Sequence, residues 1–200
     1  AFDRGGFDDP GFIAVGTDAV YLTDRDKIIK FDHAGKHIAT WTDNINTGVI
    51  FGITIDDNGI IYASMEVEQN GQYFQRIAVF NHTGQFLHSW QWQVDAWDGP
   101  RGLEVGDDGF LYVVSEDQIY KFDLDGGFIK KWPVHEEHDG SPRWSAPPDI
   151  TIDSKGQIYT IDNGNVIRVF SSEGVLTKEI SQHGSGPGSI NGAAGLKIKN

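Results

Sequence analysis

From Gly102 to Trp132 the chain runs Gly-Leu-Glu-Val-Gly-Asp-Asp-Gly-Phe-Leu-Tyr-Val-Val, then Ser115 to Asp117, then Gln-Ile-Tyr-Lys-Phe-Asp-Leu-Asp-Gly-Gly-Phe-Ile-Lys-Lys-Trp. Short runs rich in Val, Ile, Tyr and Phe alternate with Asp-Gly turn pairs, the signature of four strands, a to d, joined by tight turns. Asp-Gly and Asn-Gly tolerate the positive φ of hairpin turns, so Asp108-Gly109 reads as the a–b turn and the stretch from Phe122 to Gly126 as the c–d turn.

The unit recurs. Phe31, Phe80, Phe122 and Phe170 are each followed four residues later by Gly35, Gly84, Gly126 and Gly174, and six residues after that by Trp41, Trp90, Trp132 and Ile180. Each Phe is preceded by a tyrosine, Tyr21, Tyr62, Tyr112 or Tyr159. Each tyrosine is preceded by an apolar alternation at Ile13–Val15, Ile53–Ile55, Leu103–Val105 or Ile150–Ile152. No segment holds a 3.6-residue period, so the chain is expected to be all-β. A lone meander leaves sheet faces and edges open, and tandem meanders of about 45 residues are stable when packed as propeller blades. The expected fold is a β-propeller of four-stranded antiparallel blades in one domain, with blades at 11–41, 51–90, 101–132 and 148–180. The first strand of a fifth is expected within 192–200.

The residues Pro100–Val105, Gly109–Val113, Ile119–Asp123 and Gly127-Phe128 resemble a blade of the NHL-repeat β-propellers. Gly184–Ile190 is similar to that family's inter-blade segment, and Gly6–Pro10 to a shortened copy of it. The likeness covers nearly the whole chain and implies the fold; function varies widely on one fold. Family members commonly close a ring with six blades, so the resemblance leaves an open blade edge through which copies could form a homo-oligomer.

Composition excludes several classes of function. With 16 Lys+Arg against 29 Asp+Glu the net charge is −13, which repels phosphate backbones, so no nucleic-acid partner is expected on counterion grounds. Zero cysteines remove thiol catalysis, disulfides and Cys-based metal sites. No run of about 18 apolar residues exists to span a membrane as a helix, and no Gly-x-Ser-x-Gly nucleophile turn lies between a strand and a helix.

In an up-and-down meander the b–c turns and d–a connections share one end of the blade stack. The Tyr-to-Phe interval is 10, 18, 10 and 11 residues, so the second blade carries an insertion in its b–c turn around Met65–Phe74, with Tyr73 and Phe74. The d–a connections hold Trp92 and Trp97, and Arg143 and Trp144. Variable loops and aromatic side chains on a rigid scaffold are where recognition concentrates. Tyr73, Phe74, Trp92, Trp97, Arg143 and Trp144 are therefore the candidate binding residues, and the expected partner is a protein or a glycan. Trp41, Trp90 and Trp132 recur in register and read as blade packing.

No cofactor is expected, with a divalent metal, zinc or calcium, as the exception. His135 and His138, flanked by Glu136, Glu137 and Asp139, are its candidate ligands. Glu104 and Asp149, on or beside strands a, are carboxylates of the kind calcium takes, but two carboxylates do not make a site. The aspartates at Asp56-Asp57 and Asp107-Asp108 read as turn formers. A peptide-amidating lyase is similar in fold to that family, and the likeness would imply zinc histidines just before strand a of several blades. The matching positions here are Gly11, Phe51, Arg101, Pro148 and Ala194, none of them histidine. The expected function is a non-catalytic binding or scaffold propeller, secreted, extracellular or periplasmic; the alternative is a metal-dependent lyase or lactone hydrolase. Asn81-His82-Thr83 fits the glycosylation pattern of a secreted protein.

Overall fold

The computed structural model describes residues 7–42, 48–92, 99–115, 118–134, 149–161, 166–180 and 195–198. Those residues form sixteen strands and no helix. Four sheets of four strands follow one another along the chain, each an antiparallel meander in sequence order. Blade 1 is β1 (Pro10–Val15), β2 (Val20–Asp24), β3 (Lys27–Phe31) and β4 (His37–Trp41). Blade 2 is β5 (Gly48–Ile55), β6 (Ile61–Gln69), β7 (Gln72–Phe80) and β8 (Phe86–Gln91). Blade 3 is β9 (Leu103–Val105), β10 (Leu111–Val114), β11 (Gln118–Phe122) and β12 (Phe128–Pro133). Blade 4 is β13 (Asp149–Ile152), β14 (Ile158–Ile161), β15 (Ile167–Phe170) and β16 (Leu176–Glu179). The fold class read from the repeat, an all-β propeller of four-stranded blades, is the one observed. The chain divides into two compact units, Ala1–Ala96 with blades 1 and 2 and Trp97–Asn200 with blades 3 and 4.

The c–d turn shows why the repeat has its spacing. The residue after each Phe is Asp32, Asn81, Asp123 or Ser171, and its side-chain oxygen accepts from the backbone N–H two and four residues on. In blade 1 Asp32 Oδ1 accepts from Ala34 at 3.0 Å and Lys36 at 2.8 Å; the other three turns repeat the pair. The short side chain closes the turn on itself. The same arrangement at Asp56 and Asp153 closes two a–b turns, so Asp56 is the turn former expected of it.

Blades stack through one repeated junction inside each unit. Facing residues of antiparallel strands share a side of the sheet, so each blade has a leading face, with Ile13, Ile53, Leu103 or Ile150. Its trailing face carries the recurrent tyrosine and tryptophan. In the first unit Tyr21 and Ile28 of blade 1 share a core with Ile53, Ile61, Ala63 and Phe80 of blade 2, and Trp41 packs against it. In the second, Tyr112, Ile119 and Trp132 of blade 3 share a core with Ile150, Ile158 and Phe170 of blade 4.

The tryptophan is edge-on to the tyrosine of its own blade, at 6.1 Å for Tyr21–Trp41 and 6.3 Å for Tyr112–Trp132. Its indole lies over the c–d glycine of the following blade: a Cβ on Gly84 would sit 2.6 Å from Trp41, and one on Gly174 2.6 Å from Trp132. Those glycines, at φ +84° and +80°, are required twice, by backbone conformation and by the ring above them.

Charged side chains stand on the trailing faces of blades 1 and 3, and Lys30 reaches across to the next blade. Lys30 Nζ donates to Asp18 Oδ2 at 2.7 Å and to the His82 carbonyl in the next blade at 3.0 Å. Lys121 donates to Asp108 Oδ2 at 2.8 Å, where the Tyr112 hydroxyl also donates at 2.6 Å. Asp108 is thus the acceptor of a Tyr–Lys pair, a role beyond the turn forming read from the sequence. The ammonium of Lys30 holds the Asp18 carboxyl below its usual range. Burial pushes Asp108 up, and Lys121 with Tyr112 outweighs it to leave that carboxyl lowered as well.

Two segments outside the strands are also anchored. Residues 7–9, in the shortened linker copy, are tied to blade 1 by buried Asp24, whose carboxylate accepts from the Asp8 N–H at 3.0 Å and the Asp9 N–H at 2.5 Å. Burial pushes Asp24 up, but these N–H groups, with Lys27 and Arg25, bring it below the ordinary value. Residues 195–198, where a fifth blade's first strand was expected, pair with no strand among the described residues. They are fastened to blades 3 and 4 by Leu196 N–H donating to Asp149 Oδ2 at 2.9 Å and by Lys197 Nζ donating to Glu104 Oε1 at 2.6 Å.

Candidate binding site

The insertion in blade 2 is built as strand, where the sequence reading expected a loop. β6 and β7 are nine residues each, against four or five for the b and c strands of the other blades, and remain paired from Ile61↔Phe80 out to Gln69↔Gln72. Asn70 (φ 55°) and Gly71 (φ 75°) close the hairpin as a two-residue turn with both central residues left-handed, the form that matches strand twist. The four or five extra residues extend it by about 15 Å at roughly 3.3 Å each.

Two sides of this hairpin differ in chemistry. Met65, Val67, Phe74 and Arg76 share one side; Met65 and Val67 are buried in the core of the first unit, with half-buried Phe74 packed against it. Burial depresses the Arg76 guanidinium. The first strand supports that side by close approach: Gly48 lies so near the Glu66 carbonyl that a Cβ would collide with it. Glu66, Glu68, Tyr73 and Gln75 share the other side, with Glu68 directly opposite Tyr73 and Glu66 opposite Gln75. Tyr73 is 68% exposed, more than any other large hydrophobic among the described residues. Trp92, at 5%, is buried, and its N–H donates to the Gln75 carbonyl at 2.7 Å, which ties the start of the d–a connection to the hairpin.

The six candidate binding residues therefore divide. Tyr73 is presented to solvent, Phe74 anchors the hairpin, and Trp92 is packed inside. Trp97, Arg143, Trp144 and the candidate metal ligands His135 and His138 lie outside the described residues. Among the described residues no three His, Asp or Glu side chains gather as a metal site. Glu104 and Asp149 are engaged by Lys197 and Leu196, and burial pushes the Asp149 carboxyl up. Asn81 of the glycosylation triplet donates its amide to Gln85 Oε1 at 3.1 Å and accepts from Thr83.

The sequence reading missed the supporting shell: Asp24, which holds the linker, and the Asp18–Lys30 and Asp108–Lys121 pairs. A signal was present for the pairs, since Lys30 and Lys121 each directly precede the repeat Phe while the other two blades have Val79 and Val169.

What the hairpin offers is an aromatic face on a stiff two-stranded platform beside two carboxylates, suited to stacking and to accepting hydrogen bonds from hydroxyl, amide or ammonium donors. Comparison with known proteins agrees with the repeat. Human NHL repeat-containing protein 3 is 25% identical over 64% of this chain and 53% of its own length, and the mouse protein 23% identical over the same shares. The chain resembles the NHL-repeat propellers. It spans about half the length of these curated relatives. No protein-family model matches it. Among solved structures, a protein of unknown function from Bacteroides caccae superposes with a TM-score of 0.65 at 8% identity, over 86% of this chain and 60% of that one. The extracellular domain of a one-component system from B. thetaiotaomicron gives 0.62 at 12%, over 96% of this chain and 25% of that one. Both likenesses concern the fold.

Proposed function

We propose that this NHL-like chain is a non-catalytic binding propeller that recognises a protein or a glycan outside the cytoplasm, with the β6–β7 hairpin as its recognition element. The observation that carries the reading is Tyr73, set out in solvent opposite Glu68 on a hairpin twice as long as its counterparts. The repeats supply the frame, and the β6–β7 hairpin, which departs from the repeat, carries an aromatic–acidic outer side on continuous strand pairing. A tyrosine brings large contact area with little side-chain freedom to lose. The acidic flank favours ligands rich in hydroxyl or cationic groups. The proposed extracellular setting draws on the Asn81–Thr83 triplet and on the fold shared with an extracellular domain.

The test is a binding screen of the whole chain on a glycan array and a display of extracellular protein domains, run beside Tyr73→Ala and Glu68→Lys. A ligand whose affinity drops at least about tenfold in both variants supports the proposal, since an interface hot spot costs more than about 1.4 kcal/mol. A ligand indifferent to both, or stoichiometric metal with a chelation-sensitive lyase or lactonase activity, overturns it.

A further inference from the structure

Among the described residues the glutamates are ion-paired with two exceptions, and those two stand together. Glu104, Glu173 and Glu179 hold Lys197, Lys130 and Arg168 at 2.6, 2.6 and 2.9 Å. Glu66 and Glu68 hold no cation among the described residues, and both lie on the Tyr73 side of the β6–β7 hairpin. Between Ile61 and Phe80 the only Lys or Arg is Arg76, which lies on the opposite side. The outer side therefore carries two carboxylates without counter-charge and an exposed ring, on a chain of net charge −13.

This side lies past the length of the repeat. The b and c strands of the other blades run four or five residues, which counted from Ile61 and Phe80 ends at Met65 and Arg76. Glu66, Glu68, Tyr73 and Gln75 all come after that level. Residues two apart on a strand are separated by about 7 Å, so the two carboxylates have the spacing at which an extended peptide presents alternate side chains. Glu68 stands opposite Tyr73, at a cross-strand distance of about 5 Å, so a cation over the ring face meets a carboxylate beside it. Gln75, opposite Glu66, adds a side-chain carbonyl as acceptor.

We infer that this side takes an extended segment of a partner protein with basic residues at alternate positions, Arg-x-Arg or Lys-x-Lys. One cation lies over the Tyr73 ring beside Glu68, and the next reaches Glu66 and Gln75. The inference rests on the hairpin being the recognition element and narrows its partner from a protein or a glycan to a basic strand. A neutral glycan would cover both carboxylates and supply no charge in return, which a contact penalises.

Fluorescence anisotropy of a labelled Ser/Thr peptide carrying one Arg-x-Arg, titrated with the whole chain, tests it. The affinity is expected to exceed that of the isomers with Arg-Arg or Arg-x-x-Arg by at least about threefold, the loss of one exposed ion pair, and to fall as salt is raised. Tyr73→Ala and Glu66→Gln/Glu68→Gln are each expected to weaken binding at least about tenfold, and Tyr73→Phe, which keeps the ring face, less than about twofold. Circular dichroism identifies any misfolded variant; Tyr73→Ser and Glu68→Gln alone then take its place. Equal affinity for the three peptides, or binding indifferent to the glutamines, overturns the inference. An uncharged glycan whose binding is lost in Tyr73→Ala overturns the basic strand and leaves the recognition element standing, whereas a partner indifferent to both Tyr73 and Glu68 overturns both.

Discussion

Blade 1 and blade 2 present the same strand pattern to what precedes them, and their leading faces meet opposite fates. Blade 2 buries Ile53, Ile61, Ala63 and Phe80 against Tyr21 and Ile28 of its neighbour, with Trp41 over Gly84. Blade 1 leaves Ile13 and Val15 in water and Gly35 uncovered. The difference lies in the neighbour, since both faces are apolar. Apolar alternation in strand a therefore encodes stacking on another blade, and the indole–glycine contact is what marks a completed junction.

The largest effect on that comparison comes from the indole itself. Trp41→Ala and Trp132→Ala are each expected to destabilise their unit by about 3–5 kcal/mol in denaturant melts, the usual result of emptying a large aromatic site. Replacement by Phe costs far less, because neither indole N–H has an acceptor among the described residues. Next come the glycines: Gly84→Ala and Gly174→Ala combine a left-handed φ with a collision against the ring, whereas Gly35→Ala carries only the φ penalty of about 1 kcal/mol. The excess at Gly84 over Gly35 measures the junction, and equal losses would break the comparison.

Acid weakens the trailing faces of blades 1 and 3 to a smaller extent. Asp18 and Asp108 are lowered below the ordinary 3.8 by their lysines, Asp108 against the opposing pull of burial. Their contribution is complete above the unfolded value and is lost as pH falls through the folded one. Thermal midpoints are thus expected to decline below about pH 4, and less steeply in Lys121→Met. Asp149 acts in the opposite sense, since burial raises its carboxyl and its penalty grows as pH rises. Asp149→Asn should raise the midpoint at neutral pH and leave it unchanged near pH 2, its amide oxygen still accepting from Leu196. The smallest effect is at the hairpin tip: Tyr73→Ala should change stability by no more than about 0.5 kcal/mol, which separates a recognition side chain from a packing one.

The blades were legible because the turn chemistry is local. A short acceptor after Phe, a glycine four residues on and an aromatic six beyond that spell out a hairpin and its packing side chain without reference to anything distant. The strand b insertion was legible as extra length, but its form was not. Whether Met65–Phe74 would loop or pair depended on Met65 and Val67 finding the core beside Gly48, a tertiary contact. Trp92 and Tyr73 look alike as aromatic residues near variable segments; only the bond from Trp92 N–H to Gln75 and the alternation of the hairpin separate the buried one from the exposed one. Asp108 reads as an ordinary turn acid and Asp24 draws no notice in the sequence, because Lys121 lies 13 residues from the one and the Asp8 and Asp9 N–H groups 15 to 16 from the other.

The chain has no cysteine, so a single introduced thiol reports its own surroundings. Ile13→Cys and Ile53→Cys, compared by maleimide labelling, place one thiol on each of the two equivalent faces. Labelling of Cys at 13 close to the rate of a free thiol, with the thiol at 53 protected at least about a hundredfold by the stability of the junction, is the expected result. Equal rates at the two positions would contradict the stacking of blade 2 on blade 1.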